Sequence, residues 1–452
     1  MRSKSTSRWI LSSAIIMALF SVIPPMAAIC VLVSPFLIIA YYTIAAILIQ
    51  LFRDYIWHFY NDEKTKGTKG NVIGQGEVRY ADKSLVIGDV YPDDFDVTLP
   101  NPNTHKTSVP QSVVLHEPTG KEDLMINGLT YADLSNLNLS PILSRVQSNG
   151  GTFDEDTHDA MQKALKYHTI HLSSKGSSLV LLWVPKYGIN AWSVPPMGNN
   201  YPHSHCDADL RGEPMYSMTR GLSPWLFHRL SFLQLVNIWF PVQSLPCKPL
   251  VVCDTTTLDK NDVFKHKLYN KKGTVDAFTH TFNPSQRWVV PAEWHPPMAV
   301  VFRTSWTPHT SSPLPGENLT SPLFEEIKRI RDFIEKAVNE RSDLDPCGEL
   351  QVDKGALEEL DGDKELEIAK VPAVAKSLQE LRATLRELPR RCQEAKGDPE
   401  KLQTLVKELD LILGRSVAMR VAVRAVVLRW DLTIVSVSVA AFLGTFWMFG
   451  WI

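Results

Sequence analysis

The sequence predicts an α+β body followed by a helical hairpin, flanked by an N-terminal membrane hairpin (or two short spans) and a C-terminal transmembrane helix. Three observations carry that expectation. Trp9 to Phe52 and Leu432 to Ile452 are almost uncharged, and each offers the roughly 20 apolar residues that a spanning helix needs. Short alternating apolar runs broken by Gly and Pro fill the first part of the intervening chain. Leucines spaced by three and four residues fill the rest. The boundaries that follow are 1–60 for the first membrane segment, 61–320 for the α+β domain, 321–430 for the helical region and 431–452 for the last span.

Charge and cysteine content narrow the partners. The chain has 47 Lys+Arg against 49 Asp+Glu, and its basic clusters flank apolar segments, so nucleic acid is excluded as a partner. Its six cysteines are scattered without the spacing of a disulfide framework, which points to a reducing compartment.

In the first segment, Pro24-Pro25 divides the apolar run and Ser34-Pro35 interrupts it again. A chain that turns at Pro24-Pro25 fits better than one bent span, because proline in mid-membrane leaves a backbone group unsatisfied. Arg2, Lys4 and Arg8 before the run and Arg53, Lys64, Lys66 and Lys69 after it place both flanks on the cytosolic side. Leu32-Val33-Ser34-Pro35-Phe36-Leu37 resembles the proline-bearing hairpins of lipid-droplet proteins such as oleosins, without the spaced third proline of that motif. Tyr55, Trp57, Phe59 and Tyr60 then read as an interfacial aromatic cluster.

In the body, Glu77–Tyr80, Ser84–Ile87 and Phe95–Leu99 read as strands, and 100–118 as turn-rich chain. Asp156 to His168 has helical spacing behind the acidic cap Asp154-Glu155-Asp156. Ser178–Val184, Pro249–Asp254 and Trp288–Ser305 read as buried strands, separated by an irregular loop over Pro185–Pro214. Leu222 to Pro241, apolar on nearly all sides behind Ser223 and Pro224, reads as a helix buried in the core or docked on membrane.

A further amphipathic helix starts at Ser321-Pro322, and the acidic stretch Asp343–Glu367 is a flexible connection. Val371, Val374, Leu378, Leu381, Leu385 and Leu388 then follow heptad spacing until Pro389; after Gly397-Asp398-Pro399, the same spacing resumes with Leu402, Leu405, Leu409 and Ile412. An antiparallel hairpin within the chain fits this, and so does a seam in 371–413 for a second copy or another protein. Between there and the last span, Arg415, Arg420, Arg424 and Arg429 read as a basic juxtamembrane helix facing lipid headgroups. With nothing charged after the span, the layout is that of a tail anchor with the body in the cytosol.

The densest chemistry lies in Tyr201-Pro-His203-Ser-His205-Cys206-Asp207-Ala-Asp209. His203 with Asp207, spaced His-x3-Asp, suits acyl transfer from a thioester, the histidine taking the hydroxyl proton. His203, His205 and Cys206 offer metal ligands, with Asp207 beside them. In an extended chain His203, His205 and Asp207 share one side and Cys206 faces the other, so the segment does not complete a tetrahedral set. No cofactor is named by any motif.

The expected function is therefore that of an integral membrane scaffold or interaction module of the endoplasmic reticulum or a related endomembrane, with the lipid bilayer and a protein partner as its contacts. The rival is a membrane-bound enzyme acting on a lipid or other apolar substrate at the 203–209 segment.

Overall fold

The structure, a computed structural model, describes residues 70–86, 95–96, 108–124, 126–173, 177–194, 204–207, 233–270, 273–304, 307–314, 316–340 and 370–431. The chain divides into two units, 68–430 and 1–67 with 431–452, and the described residues up to Trp430 belong to the first. Its strands are β1 (Val72–Ala81), β2 (Phe95–Asp96), β3 (Ser108–His116), β4 (Leu129–Asp133), β5 (Thr169–Leu172) and β6 (Ser177–Trp183). Then come β7 (Ile189–Val194), β8 (His205–Cys206), β9 (Leu233–Pro241), β10 (Leu250–Cys253) and β11 (Val263–Asn270). The last are β12 (Gly273–His280), β13 (Trp288–Val289), β14 (Met298–Arg303), β15 (His309–Ser311) and β16 (Ala418–Asp431). The helices are α1 (Ser140–Ser148), α2 (Glu155–Leu165), α3 (Glu317–Glu340), α4 (Pro372–Ala395) and α5 (Pro399–Ser416).

Two sheets organise these elements. The first runs β1-β3-β13-β10-β15-β8-β12-β11-β2. The second runs β6-β5-β4-β14-β9-β16-β7, and an additional β6–β16 pairing returns the ladder to its starting strand, closing it into a barrel. Alternation does the sorting. On β9, Val236, Ile238 and Phe240 enter the barrel core together with Ala299 and Val301 of β14 and Val421, Val423, Ala425 and Val427 of β16. Leu143 and Val146 of α1 and Met161 and Leu165 of α2 join the same core.

The opposite faces of the barrel strands pack on the first sheet. Leu129 and Tyr131 of β4, Val300 and Phe302 of β14 and Trp239 of β9 meet Leu250 and Val252 of β10 and Val289 of β13. Two mostly antiparallel sheets packed face to face around this layer give a jelly-roll-like architecture. A third core lies between the first sheet and the helices: Val78, Tyr80, Leu115, Val251 and Trp288 pack with Ile327, Ile330 and Ile334 of α3, Leu381 and Leu385 of α4 and Leu405 and Leu409 of α5. Each such burial contributes about 1.5–3 kcal/mol.

Several sequence expectations are corrected. The membrane-anchored fold class finds no element among the described residues: no helix there is long and apolar enough to cross a membrane. Trp9 to Phe52, the aromatic cluster at 55–60, the acidic stretch and Leu432 to Ile452 lie outside the described residues. The 100–118 stretch contains β3, and Lys83–Leu85 forms a short 3-10 turn in place of a strand. Of the helix expected over Leu222–Pro241, the described part is strand β9, held between β14 and β16. A central strand buried on both faces is apolar throughout, which removes the alternation that would reveal it.

The juxtamembrane helix is likewise a strand. In β16 the odd positions fill the barrel, while Arg420 and Arg424 lie on the other face. Arg420 is buried and donates to the Lys248 carbonyl at 2.7 Å. Arg415, at the end of α5, pairs with Glu380 of α4. Arg429 lies within β16. Arg415, Arg420 and Arg424 are held by protein, which corrects their assignment to lipid headgroups.

The heptad leucines of α4 and α5 are buried in their own chain, as an antiparallel hairpin. Pro389 does not end α4, which continues to Ala395 with Leu388, Cys392 and Ala395 still buried. Gly397, at φ +75°, makes the turn, and the Asp398 carboxylate caps α5 by accepting from the backbone of Glu400 and Lys401.

Within the helix-facing core, His280 stacks on Trp288 at 5.8 Å and meets Tyr80 edge-on at 5.2 Å. Its side chain is buried, and neither ring nitrogen has a hydrogen-bond partner among the described residues. Burial, reinforced by His205 and His309, pushes its pKa from 6.5 down to about 3. The unfolded chain therefore takes up a proton that the fold refuses, and stability falls as pH drops from 6.5 towards about 3. His280→Phe is expected to flatten that part of the stability–pH curve by up to a few kcal/mol. Denaturant unfolding measured across the window checks this, and an unchanged slope would contradict it.

Candidate metal centre

Three side chains converge between the two sheets. His205 stands on β8, Asp207 directly follows that strand, and His309 opens β15. The backbones of His205 and His309 pair in register, and Thr279 of β12 pairs with His205 on the other edge. So short a strand is held by its neighbours: Ser204 N–H donates to the Arg79 carbonyl at 2.7 Å and Asp207 N–H to the Thr304 carbonyl at 3.1 Å. Extended backbone then points His205 and Asp207 the same way and Cys206 the other way.

The donor atoms form a compact set. His205 Nε2 lies 3.5 Å and His309 Nε2 3.6 Å from the same oxygen, Oδ1 of Asp207. One ligand atom from each residue falls within 4.8 Å of the others. Two donors each about 2.1 Å from a shared ion stand roughly 3.0–3.4 Å apart, so a small closing movement accommodates a metal. The His309 tautomer suits it as well: Nδ1 faces the Thr307 carbonyl at 3.1 Å and must carry the proton, which leaves Nε2 its lone pair. That carbonyl is itself placed, because Thr307 Oγ1 donates to the carbonyl of Gly128, a residue at φ +75°. A side chain at Gly128 would strike Thr255 and Thr307.

The second carboxylate oxygen belongs to the barrel. Arg424 Nη2 of β16 reaches Asp207 Oδ2 at 2.7 Å, and Asn237 Nδ2 of β9 donates to the same oxygen. Arg424 Nε in turn donates to Asn237 Oδ1 at 3.1 Å. Burial alone would raise the Asp207 pKa, but Arg424, with the two histidines beside it, holds it well below the usual carboxylate range. The group is an anion with one oxygen fixed and the other turned to the histidines. Phe302 packs on the His309 ring at 4.6 Å, and Trp239 meets that ring at 6.5 Å.

Of the residues singled out by sequence, the structure brings together His205 and Asp207. Cys206 is buried and outside the donor group, its thiol pushed well up by burial. His203 and Asp209 lie outside the described residues. His309 and Asn237 were missed, and Arg424 was read for another role. The signal for the first was the i, i+2 spacing of His205 and Asp207, which demands a remote third ligand.

A double-mutant cycle tests the tie between the sheets. Arg424→Leu and Asp207→Asn are each expected to destabilise the fold, with a coupling of about 1–3 kcal/mol because both groups are only partly buried. Additive effects in denaturant unfolding would contradict the pairing.

A sequence family described as "Oxidoreductase/YMDC permease-like domain" matches residues 205–312, a span that begins at His205 and passes His309. No curated protein matches the chain in sequence. Among solved structures, a tryptophan-to-phenylalanine variant of the iron and alpha-ketoglutarate-dependent endoperoxidase NvfI aligns with TM-score 0.39 and 13% identity over 55% of this chain and 92% of its own. The same endoperoxidase in a different conformation aligns with TM-score 0.39 and 15% identity over 53% and 90%. Likeness at this level carries no function, which rests on the side chains. The expectation of a non-catalytic scaffold is corrected by three side chains that could hold a metal ion, inside an oxidoreductase-like match; against the integral-membrane expectation stands that no helix among the described residues is long and apolar enough to cross a membrane, the two segments that carried it lying outside them.

Proposed function

We propose that this chain is an oxidoreductase built on a mononuclear non-haem iron(II) centre held by His205, Asp207 and His309. One observation carries the reading: two imidazole nitrogens converge on a single carboxylate oxygen between two sheets. Two histidines and one carboxylate on one side of an ion leave its other positions open, and iron(II) held in that way supplies oxygen-dependent redox chemistry. The oxidoreductase description of the family match over 205–312 supports the same class.

The chain's own groups have distinct parts. Asp207 gives one oxygen to the metal, while Arg424 and Asn237 restrain the other and so fix the carboxylate as a single-oxygen ligand. Thr307 sets the His309 tautomer. Phe302 and Trp239 wall the histidine side with apolar surface, which limits water around the ligands. Arg424, paired with Asp207 and with its side chain 30% exposed, is the cation at the cluster and suits an anionic co-substrate such as a 2-oxo acid.

Anaerobic loading with iron(II) followed by gel filtration and metal analysis is expected to give one iron per chain. His205→Ala, Asp207→Ala and His309→Ala should each abolish it, whereas Cys206→Ala should retain it. Loss in Cys206→Ala with retention in His309→Ala would overturn the ligand set. Asn237→Ala is expected to weaken iron about tenfold or more in chelator competition, through the freed carboxylate. The reaction class is read by oxygen consumption with a 2-oxo acid present, which should follow iron content and vanish in the ligand variants.

A further inference from the structure

The ring contacts at the metal cluster do not stop at its apolar wall. Trp239 of β9, edge-on to His309, is stacked with Trp192 of β7 at 5.3 Å and an interplanar angle of 24°. The two indoles flank β16, where Ala422 is the cross-strand partner of Trp239 and its small side chain leaves them room to meet. Trp192 is 39% exposed, whereas His309 is 3% exposed. Three aromatic rings thus run in contact from a proposed metal ligand to the surface. Over Trp239 lies the Arg420 guanidinium, 5.0 Å from the ring centroid. Burial lowers the pKa of Arg420 to about 10, so it stays charged at neutral pH.

Resting on the iron reading above, we propose that His309, Trp239 and Trp192 form an electron route that discharges the oxidised metal centre when no substrate consumes its oxidising power. In each passage one electron leaves the Trp192 indole and, by way of Trp239 and the His309 ring, reduces the metal centre by one electron. The Trp192 indole gives its Nε1 proton to water. A soluble one-electron reductant of the ascorbate class returns the electron, and water the proton. The direction is set by charge: a guanidinium over half-buried Trp239 disfavours positive charge on that ring, while at exposed Trp192 water screens the same cation. Positive charge therefore passes outward. Without the reductant, the Trp192 radical is trapped by dioxygen, and the indole becomes the chain's principal site of oxidative damage.

The test uses the full-length chain loaded with iron(II) and exposed to oxygen and a 2-oxo acid without substrate or reductant, followed by peptide mass analysis. The expected result is added oxygen on the Trp192 peptide, several-fold above that on the peptide of Trp183, a tryptophan of β6. Ascorbate should suppress it. Trp239→Phe should cut Trp192 oxidation several-fold per bound iron, and Trp192→Phe should move the added oxygen to Trp239 and the His309 peptide. Equal marking of Trp192 and Trp183, or marking indifferent to Trp239→Phe, overturns the route while iron content keeps the metal assignment standing. A chain that takes up no iron overturns both.

Discussion

One carboxylate joins the two sheets. Asp207 extends from the first sheet beside His205 and His309, and its outer oxygen is held by Arg424 and Asn237 of the barrel. A part-buried anion must be compensated, and here the compensation comes from the opposite layer. The face-to-face packing around Val252, Val300 and Phe302 brings Arg424 within reach, and the ion pair fixes where a metal can be held.

The strands carrying the donors are too short to be stable alone. β8 has two residues and β15 three, so β8 is placed by Thr279, Arg79 and Thr304 around it, and β15 by its pairing with β10 and β8. The barrel side is stiff for the opposite reason. β9 and β16 are long, paired along most of their length and filled with branched side chains on one face. Precision at a metal centre comes from such supporting structure more than from the ligands themselves.

Much of the secondary structure was legible because local patterns matched local needs. Asp154 caps α2, and Asp398 and Pro399 start α5 as their residue types imply. The alternation that sends Cys206 away from His205 and Asp207 could be read before any fold was known. Other features were hidden for physical reasons. Residues four apart lie near one side of a helix and also on one side of a strand, so Arg420 and Arg424 could not distinguish the two. Their valine-rich odd neighbours could. β9 gave no period because both faces are buried, and Pro389 is carried through α4 by the buried turn beyond it.

Which residue answers the demand of His205 and Asp207 for a third ligand was hidden for another reason: His309 is brought to them by β15 lying between β8 and β10, a tertiary fact. The apolar stretches lie at the chain's ends, while the proposed centre joins His205 and Asp207 to a histidine far along the sequence whose strand lies beside theirs in one sheet.

The most direct measurement is an experimental structure of the full chain loaded with iron(II). The account predicts one ion bound by Nε2 of His205, Nε2 of His309 and a single oxygen of Asp207, with the other oxygen still on Arg424 and Asn237. An ion held by Cys206, or by donors outside this triad, would contradict it.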